Sequence, residues 1–299
     1  MLRKKSMSTV FGRQSISGLI FDIFNIFVMA ALCISMLYPF LHVLSLSLSP
    51  PESSSVIVPL IPREVTFSNY QKVLASSALI QSLFNTLHRT ILGSFLSLIA
   101  VICTAYPLAK RYFPNRNFWT AFIVFTMFFG GGLIPSYMLV RNLGLLNNRM
   151  ALILPGLIPS FNMIIMRNFF MALPESLEES AKIDGANDMY ILYKIVLPIS
   201  KPIIATVSLW LAVGHWNAWF DSLLYVPDIS KQVLQVLLRN VILASSERAL
   251  GIPKEDPMTL RPETMKAATI MVASVPIIAV YPFAQKYFVK GIMVGSLKG

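Results

Sequence analysis

Six apolar runs, each about long enough to cross a lipid bilayer, leave this chain little choice of fold. They lie at about 19–45, 80–108, 118–140, 150–172, 199–224 and 265–285, separated by short polar stretches. A helix needs roughly 20 apolar residues to span ~30 Å of hydrocarbon, and such a helix satisfies its own backbone donors and acceptors where no water reaches them. Hydrophobic residues make up 55% of the chain and charged residues 13%, about half the charge of a soluble domain, which excludes a soluble fold. The expected class is an all-α integral membrane protein with six transmembrane helices.

The first run follows "MLRKKSMSTVFGRQSISG", which has the basic start of a signal peptide. The apolar stretch behind it is longer than a signal core and has no small-x-small cleavage site in place, so it reads as an uncleaved span. Cys33 and Cys103 each fall inside a run, offer neither a disulfide framework nor metal spacing, and read as small core residues. The net charge of +11 is explained by topology. Arg3, Lys4, Lys5 and Arg13 precede span one; Lys110, Arg111 and Arg116 follow span two; Lys286, Lys290 and Lys298 follow span six. The positive-inside rule places all of these in the cytoplasm, with both termini. The loop at 225–263 balances its charges and is expected outside. The basic excess therefore points to orientation and anionic membrane lipid, and not to nucleic acid.

Catalytic constellations are missing from the sequence. His42, His88 and His215 are scattered, and no phosphate-binding G-x-x-x-x-G-K-[ST] occurs. If ATP drives anything here, another chain binds it. An ion-coupled secondary carrier is the alternative. It needs carboxylates deep in spans, whereas Asp22 and Asp221 lie toward span ends, and no inverted repeat is visible. A membrane-bound enzyme would need a polar catalytic cluster, which is absent.

One charged segment stands out between spans four and five. "PESLEESAKIDGANDMYILYKIVLPISKP", residues 174–202, gathers Glu175, Glu178, Glu179, Asp184 and Asp188, five of the 14 acidic residues. Pro174 suits a helix start, and Ser176-x-x-Glu179 fits a capping box. The helix would end at Gly185 in a left-handed turn. Asn187 or Asp188 would cap a second helix, "MYILYKIVL", terminated by Pro198. Leu177 and Ala181 would share one face, leaving Glu178 and Lys182 to water. Such a hairpin either lies on the membrane surface or meets a partner.

Near the outer end of span five, "GHWNAWFD" at 214–221 offers His215, Trp216, Asn217, Trp219 and Asp221, with Tyr137 and Asn162 in neighbouring spans. Aromatic faces and amides there are candidates for lining a solute pathway. The competing reading makes Trp216, Trp219 and Tyr225 an interfacial aromatic belt.

The hairpin's residue order carries a resemblance. "ESAKIDGANDMYILYKIVLP" resembles the EAA motif of permease subunits in binding-protein-dependent ABC importers, E-A-A-x-x-D-G-A and, after a spacer, L-P. It maps onto Glu179, Ser180, Ala181, Asp184, Gly185, Ala186, Leu197 and Pro198, with Ser180 where alanine is usual. "GGGLIPSYMLVRNLGLLNN", "LPGLIPSFNMIIMRNFF" and "VGHWNAWFDSLLYV" look like the carbohydrate-uptake branch, and "KGIMVGSLKG" like the tail of its maltose-type subunit. The wording is closest to oligosaccharide importers such as the alginate importer.

The resemblance implies a maltose-transporter-like permease fold in the bacterial cytoplasmic membrane. Residues 1–18 would be a cytoplasmic tail, and 19–78 the first span and an external loop. The permease core would cover 79–287, with coupling helices at 174–198 seated in an ATPase cleft, and 288–299 would be a second cytoplasmic tail. The implied partners are a second, homologous permease subunit, a dimer of ATPase subunits, an extracytoplasmic solute-binding protein and an oligosaccharide substrate, acidic alginate-type sugars included. No cofactor is expected on this chain, because ATP and Mg belong to the ATPase; catalytic and metal residues are expected to be none.

Single cysteines at Ser180 and Ser245, in a variant lacking Cys33 and Cys103, should react with an impermeant thiol reagent from opposite sides of the membrane. Labelling of both from outside would overturn the topology.

Overall fold

Two of the apolar runs form long single helices, and three others form bent pairs with breaks at 129–132, 157–159 and Ser200. The computed structural model describes residues 16–50, 62, 64–243, 250–251 and 263–279, and no strand occurs among them. Helix α1 (Ile16–Ser47) is apolar throughout and holds Pro39. The short α2 (Ser68–Ala75) leads into α3 (Ser77–Ala109), which carries Pro107 near its end. Next come α4 (Arg116–Phe128) and α5 (Leu133–Asn142), bent by 114°. Gly132 in the break takes φ +85°, a backbone region open to glycine without steric cost. Two 3-10 turns, Arg149–Leu152 and Leu154–Gly156, meet α6 (Ser160–Met171) at 49°, across Pro159.

The hairpin consists of α7 (Ser176–Ile183), α8 (Asp188–Ile191), a π turn at Leu192–Val196 and α9 (Leu197–Ile199). The stretch Asp188–Ile199 runs into α10 (Lys201–Asn217) with an 84° bend. Then follow α11 (Phe220–Tyr225), a 3-10 turn at Ile229–Lys231, α12 (Leu234–Leu243) and α13 over 263–279.

Among the described residues α1 and α3 are each long and apolar enough to cross a bilayer, and counting each bent pair as one crossing brings the number to five. The sequence predicts six. Helix α13 covers the first part of the sixth run, and the rest of that run lies outside the described residues.

Helix α3 is the centre of the bundle, packed on α6 along one side and α10 along another. Val101, Ala105, Met163, Met166, Val207 and Leu211 form the core these three share. A second core joins α2, α3, α10, α12 and α13 through Val73, Leu79, Trp216, Leu234 and Met265. In the middle of α3, Gly93 lets α10 approach so closely that a Cβ there would lie 2.8 Å from the His215 ring. By contrast α1 exposes nearly all its apolar side chains. At and just past its end, Asn69 Nδ2 donates to the carbonyls of Ser47 (3.1 Å) and Ser49 (2.9 Å).

Several expectations are corrected. The stretch 225–263, expected as an external loop, holds a helix: Leu234, Leu237 and Val241 bury one face of α12. Its first amide, Leu234 N–H, is received by Thr86 Oγ1 of α3 at 2.8 Å. Cys33 and Cys103 are exposed on the chain's surface and are not core residues. Pro198 does not terminate the second helix. Its ring would collide with the carbonyl four residues back in a regular α-helix, but Leu197 N–H bonds Leu192 O in a wide turn just before it, and the helix bends only at Ser200.

Gly93→Ala sets a helix-propensity gain of ~1 kcal/mol against an overpacking cost of ~1–3 kcal/mol. The expected net result is a lower thermal midpoint for the purified protein in detergent. In a His215→Ala background the clash is gone, and the same substitution should raise the midpoint. Equal effects in both backgrounds would mean that the two helices do not meet through this pair.

Candidate functional site

Two places gather polar chemistry: the hairpin at one end of α3 and the α10–α11 break toward the other. In the hairpin, α7 closes with the predicted left-handed turn. Gly185 has φ +80°; its N–H bonds Lys182 O at 3.0 Å, and Ala186 N–H bonds Ala181 O at 2.9 Å. These two bonds are the Schellman pattern. Asn187 Oδ1 caps the next helix by accepting from Tyr190 N–H at 2.8 Å.

The capping box is absent. Glu175 holds the N-cap position and no side chain caps α7. The first-turn amides are taken by the backbone carbonyls of Pro174 and Glu175, and the Ser176 hydroxyl is not needed there.

Nor does Glu178 face water. It forms an ion pair with Lys110, and the two side chains keep only 15% and 9% exposure. The Lys110 ammonium also lies 4.3 Å from the Tyr106 ring centroid. The next two residues repeat the pattern: Arg111 Nε pairs with Glu175 at 3.0 Å and Tyr112 Oη donates to Asp188 at 2.9 Å. Lys182 is exposed, as expected, and pairs with Asp188 at 3.1 Å while sitting over the Tyr112 ring. Burial, and then the hydrogen bond to Asp188, push the Tyr112 phenol up from its ordinary value, so it remains a donor at neutral pH.

Three of the five hairpin acids are thus held by Lys110-Arg111-Tyr112. The other two, Glu179 and Asp184, are exposed and make no ion pair among the described residues. With them at the tip stands Ile183, 87% exposed. Ser180 and Gly185 are open as well, Ala181 and Ala186 pack inward, and Leu197 and Pro198 sit in and beside α9.

At the other site α10 ends at Asn217 and α11 starts at Phe220. Arg89 of α3 reaches into this break. Its Nη1 donates to Ala218 O at 3.1 Å and to Asp221 Oδ1 at 3.0 Å, and its Nη2 bonds Asp221 Oδ2. Such bidentate geometry is the strong form of the pair, and Arg89 is almost fully buried. Sequence reasoning looked for intramembrane carboxylates and passed over Arg89, although it is the one charged residue within α3; a lone ionisable group inside a span was the available clue.

The predicted pathway residues divide. His215 packs on Gly93, and Trp216 is buried in the second core, so its ring forms neither an interfacial belt nor an open wall within this chain. Tyr225 is buried too and stacks with Tyr137 at 6.3 Å. Trp219, 37% exposed, has Arg239 over its face at 5.2 Å. Asn217 is exposed. Asn162 lies near the start of α6 and is nearly buried. No group of metal-ligating side chains occurs among the described residues.

Residues 116–294 match the family described as binding-protein-dependent transport system inner membrane component. The chain belongs to that family. It is 39% identical to protein LplC of Bacillus subtilis, over 95% of this chain and 96% of that one. It is 42% identical to the polygalacturonan/rhamnogalacturonan transport system permease protein YtcP of the same organism, over 87% and 92%. Among solved structures, a chain of a bacterial ABC transporter involved in import of the acidic polysaccharide alginate superimposes with a TM-score of 0.86 at 35% identity, covering 93% of this chain and 99% of that one. This chain is accordingly an ABC permease component and not an enzyme, with the ATPase a separate subunit. The secondary-carrier alternative falls.

Asp221→Ala strands the buried Arg89 charge, and removing one member of a buried pair costs about 3–5 kcal/mol. Arg89→Met should cost less, because Asp221 retains 29% side-chain exposure. The double variant Arg89→Met/Asp221→Leu should recover much of the loss, read as thermal stability and membrane yield. Additive losses would show that the two residues act independently.

Proposed function

We propose that this chain is one half of the membrane channel of an ATP-driven importer of acidic oligosaccharides, coupled to its ATPase through the hairpin α7–α9. In this reading the chain pairs with a second, homologous permease subunit, two ATPase subunits bind below, and a solute-binding protein delivers the sugar from outside. The chain crosses the membrane six times, with α13 in the last span. Both termini and the hairpin are cytoplasmic.

The observation that carries the coupling is the tip of the hairpin. Glu179, Asp184 and Ile183 project from a helix whose end is held by Gly185, while Ala181 and Ala186 face inward. An almost fully exposed isoleucine between two unpaired carboxylates is poorly placed in water and well placed in a partner's groove. Support for an acidic substrate comes from the names of the relatives: alginate for one, and for the other galacturonans, polymers of a sugar acid. The exposed Asn217 and Trp219, with Arg239 beside the latter, supply an amide, an aromatic face and a cation near the outer break, as a charged sugar requires.

A Cβ on Gly185 would meet nothing within 4 Å, so Gly185→Val acts on the backbone alone. A β-branched residue in the left-handed region is strained by ~1–2 kcal/mol, whereas asparagine tolerates it. In the purified complex Gly185→Val should lower ATPase retention, stimulated hydrolysis and uptake together while the permease still inserts, and Gly185→Asn should retain most of each. Unchanged retention and hydrolysis in Gly185→Val would reduce the segment to a surface hairpin.

A further inference from the structure

Among the described residues two shielded ion pairs lie along one helix, one at Arg89, a turn before Gly93 in the middle of α3, and one at Lys110, which caps its end. Arg89 and Lys110 are 21 positions apart, about 30 Å along an α-helix at 1.5 Å per residue, which is the thickness of the hydrocarbon layer. Between them α3 runs without a break and packs on α6 and α10, whereas the stretches 116–142, 149–171 and 188–217 are all bent. At the cap of α3 Lys110 holds Glu178 of α7; farther back, near the middle of the helix, Arg89 holds Asp221 of α11 and the carbonyl of Ala218 in the break.

We propose that Lys110 is a positioning residue for transport: through Glu178 it makes the hairpin drive α3, and α3, as a rigid rod, passes the displacement to the α10–α11 break through Arg89.

The proposal rests on the coupling function given to the hairpin and adds which of its contacts carries force. The three contacts of residues 110–112 differ in burial. Arg111 and Glu175 are 80% and 63% exposed, and an ion pair in water is worth little and is easily broken. Tyr112–Asp188 is a single exposed hydrogen bond. Only Lys110–Glu178 is shielded, and the Tyr106 ring under the ammonium, itself edge-on to Phe170 of α6, fixes the cation in place. Separating this pair would leave both charges unpaired in a poorly hydrated site. When α7 moves, Lys110 therefore moves with it, while Arg111 is free to let go.

The test uses the complete importer in lipid nanodiscs and proteoliposomes, with its solute-binding protein. Lys110→Met and Glu178→Gln should each retain the ATPase subunits and their basal hydrolysis, yet lower the uptake per ATP about tenfold. The double variant should be no worse than either single one, Lys110→Arg should restore the ratio, and Arg111→Gln should stay within twofold. A far-end readout separates transmission from local damage. A cysteine at Leu223, introduced in a Cys33/Cys103-free background, should change its labelling rate on ATP addition in the parent but not with Lys110→Met.

Uptake per ATP within twofold of the parent in Lys110→Met would overturn the proposal, as would multiplicative losses in the double variant or ATP-dependent labelling that survives. If Lys110→Met does not insert, Lys110→Arg decides: normal insertion with a tenfold lower ratio would also overturn it. Loss of the ATPase subunits with Gly185→Val but not with Lys110→Met would keep the coupling function and this proposal apart.

Discussion

An unbroken helix as deep as the bilayer, gripped by one buried ion pair near its middle and another at its cap, gives the broken helices of this protein something to break against. Helix α3 supplies Gly93 for the close approach of α10, Thr86 for the first amide of α12, Arg89 for the α10–α11 break and, in the residue that caps it, Lys110 for the hairpin. The contacts of Thr86, Arg89 and Lys110 each supply a polar partner that water would provide in a soluble protein. In lipid the alternative is an unsatisfied polar group at a cost of several kcal/mol.

The same accounting explains why the breaks fall where they do. A glycine at φ +85° opens the turn between α4 and α5. The carbonyl freed at Ala218 is received by a guanidinium. Before Pro198 the helix widens by one residue, so that the missing donor and the bulky ring are absorbed and the bend is deferred to Ser200. Proline thus shapes this chain without stopping its helices; Pro39 and Pro107 also lie inside helices.

The hairpin's acidity has two origins. Glu175, Glu178 and Asp188 are internal fastenings that hold the hairpin to the end of α3. Glu179 and Asp184 are exposed and make no ion pair among the described residues. A charged segment in an oily chain is therefore not simply a solvated surface, since most of its acids answer the basic and phenolic residues that follow α3.

The apolar runs, their breakers and the turn at Gly185 were legible in the sequence because they depend on local properties: side-chain hydrophobicity, the missing proline donor and the freedom of glycine at positive φ. The hairpin's order of helix, glycine turn and Asn187-capped helix follows from the same local rules, and the EAA pattern pointed to the family before any coordinates. What only the tertiary structure decided are the partners of residues far apart in the chain. Helix α12 was hidden in a stretch judged by its charges, although its apolar spacing was visible. No local rule pairs Lys110 with Glu178 or Arg89 with Asp221, 68 and 132 residues away, or buries Trp216 while exposing Asn217 beside it. Those outcomes depend on which faces α3, α6 and α10 turn toward one another, and that choice is made by packing the whole bundle, not by any one segment.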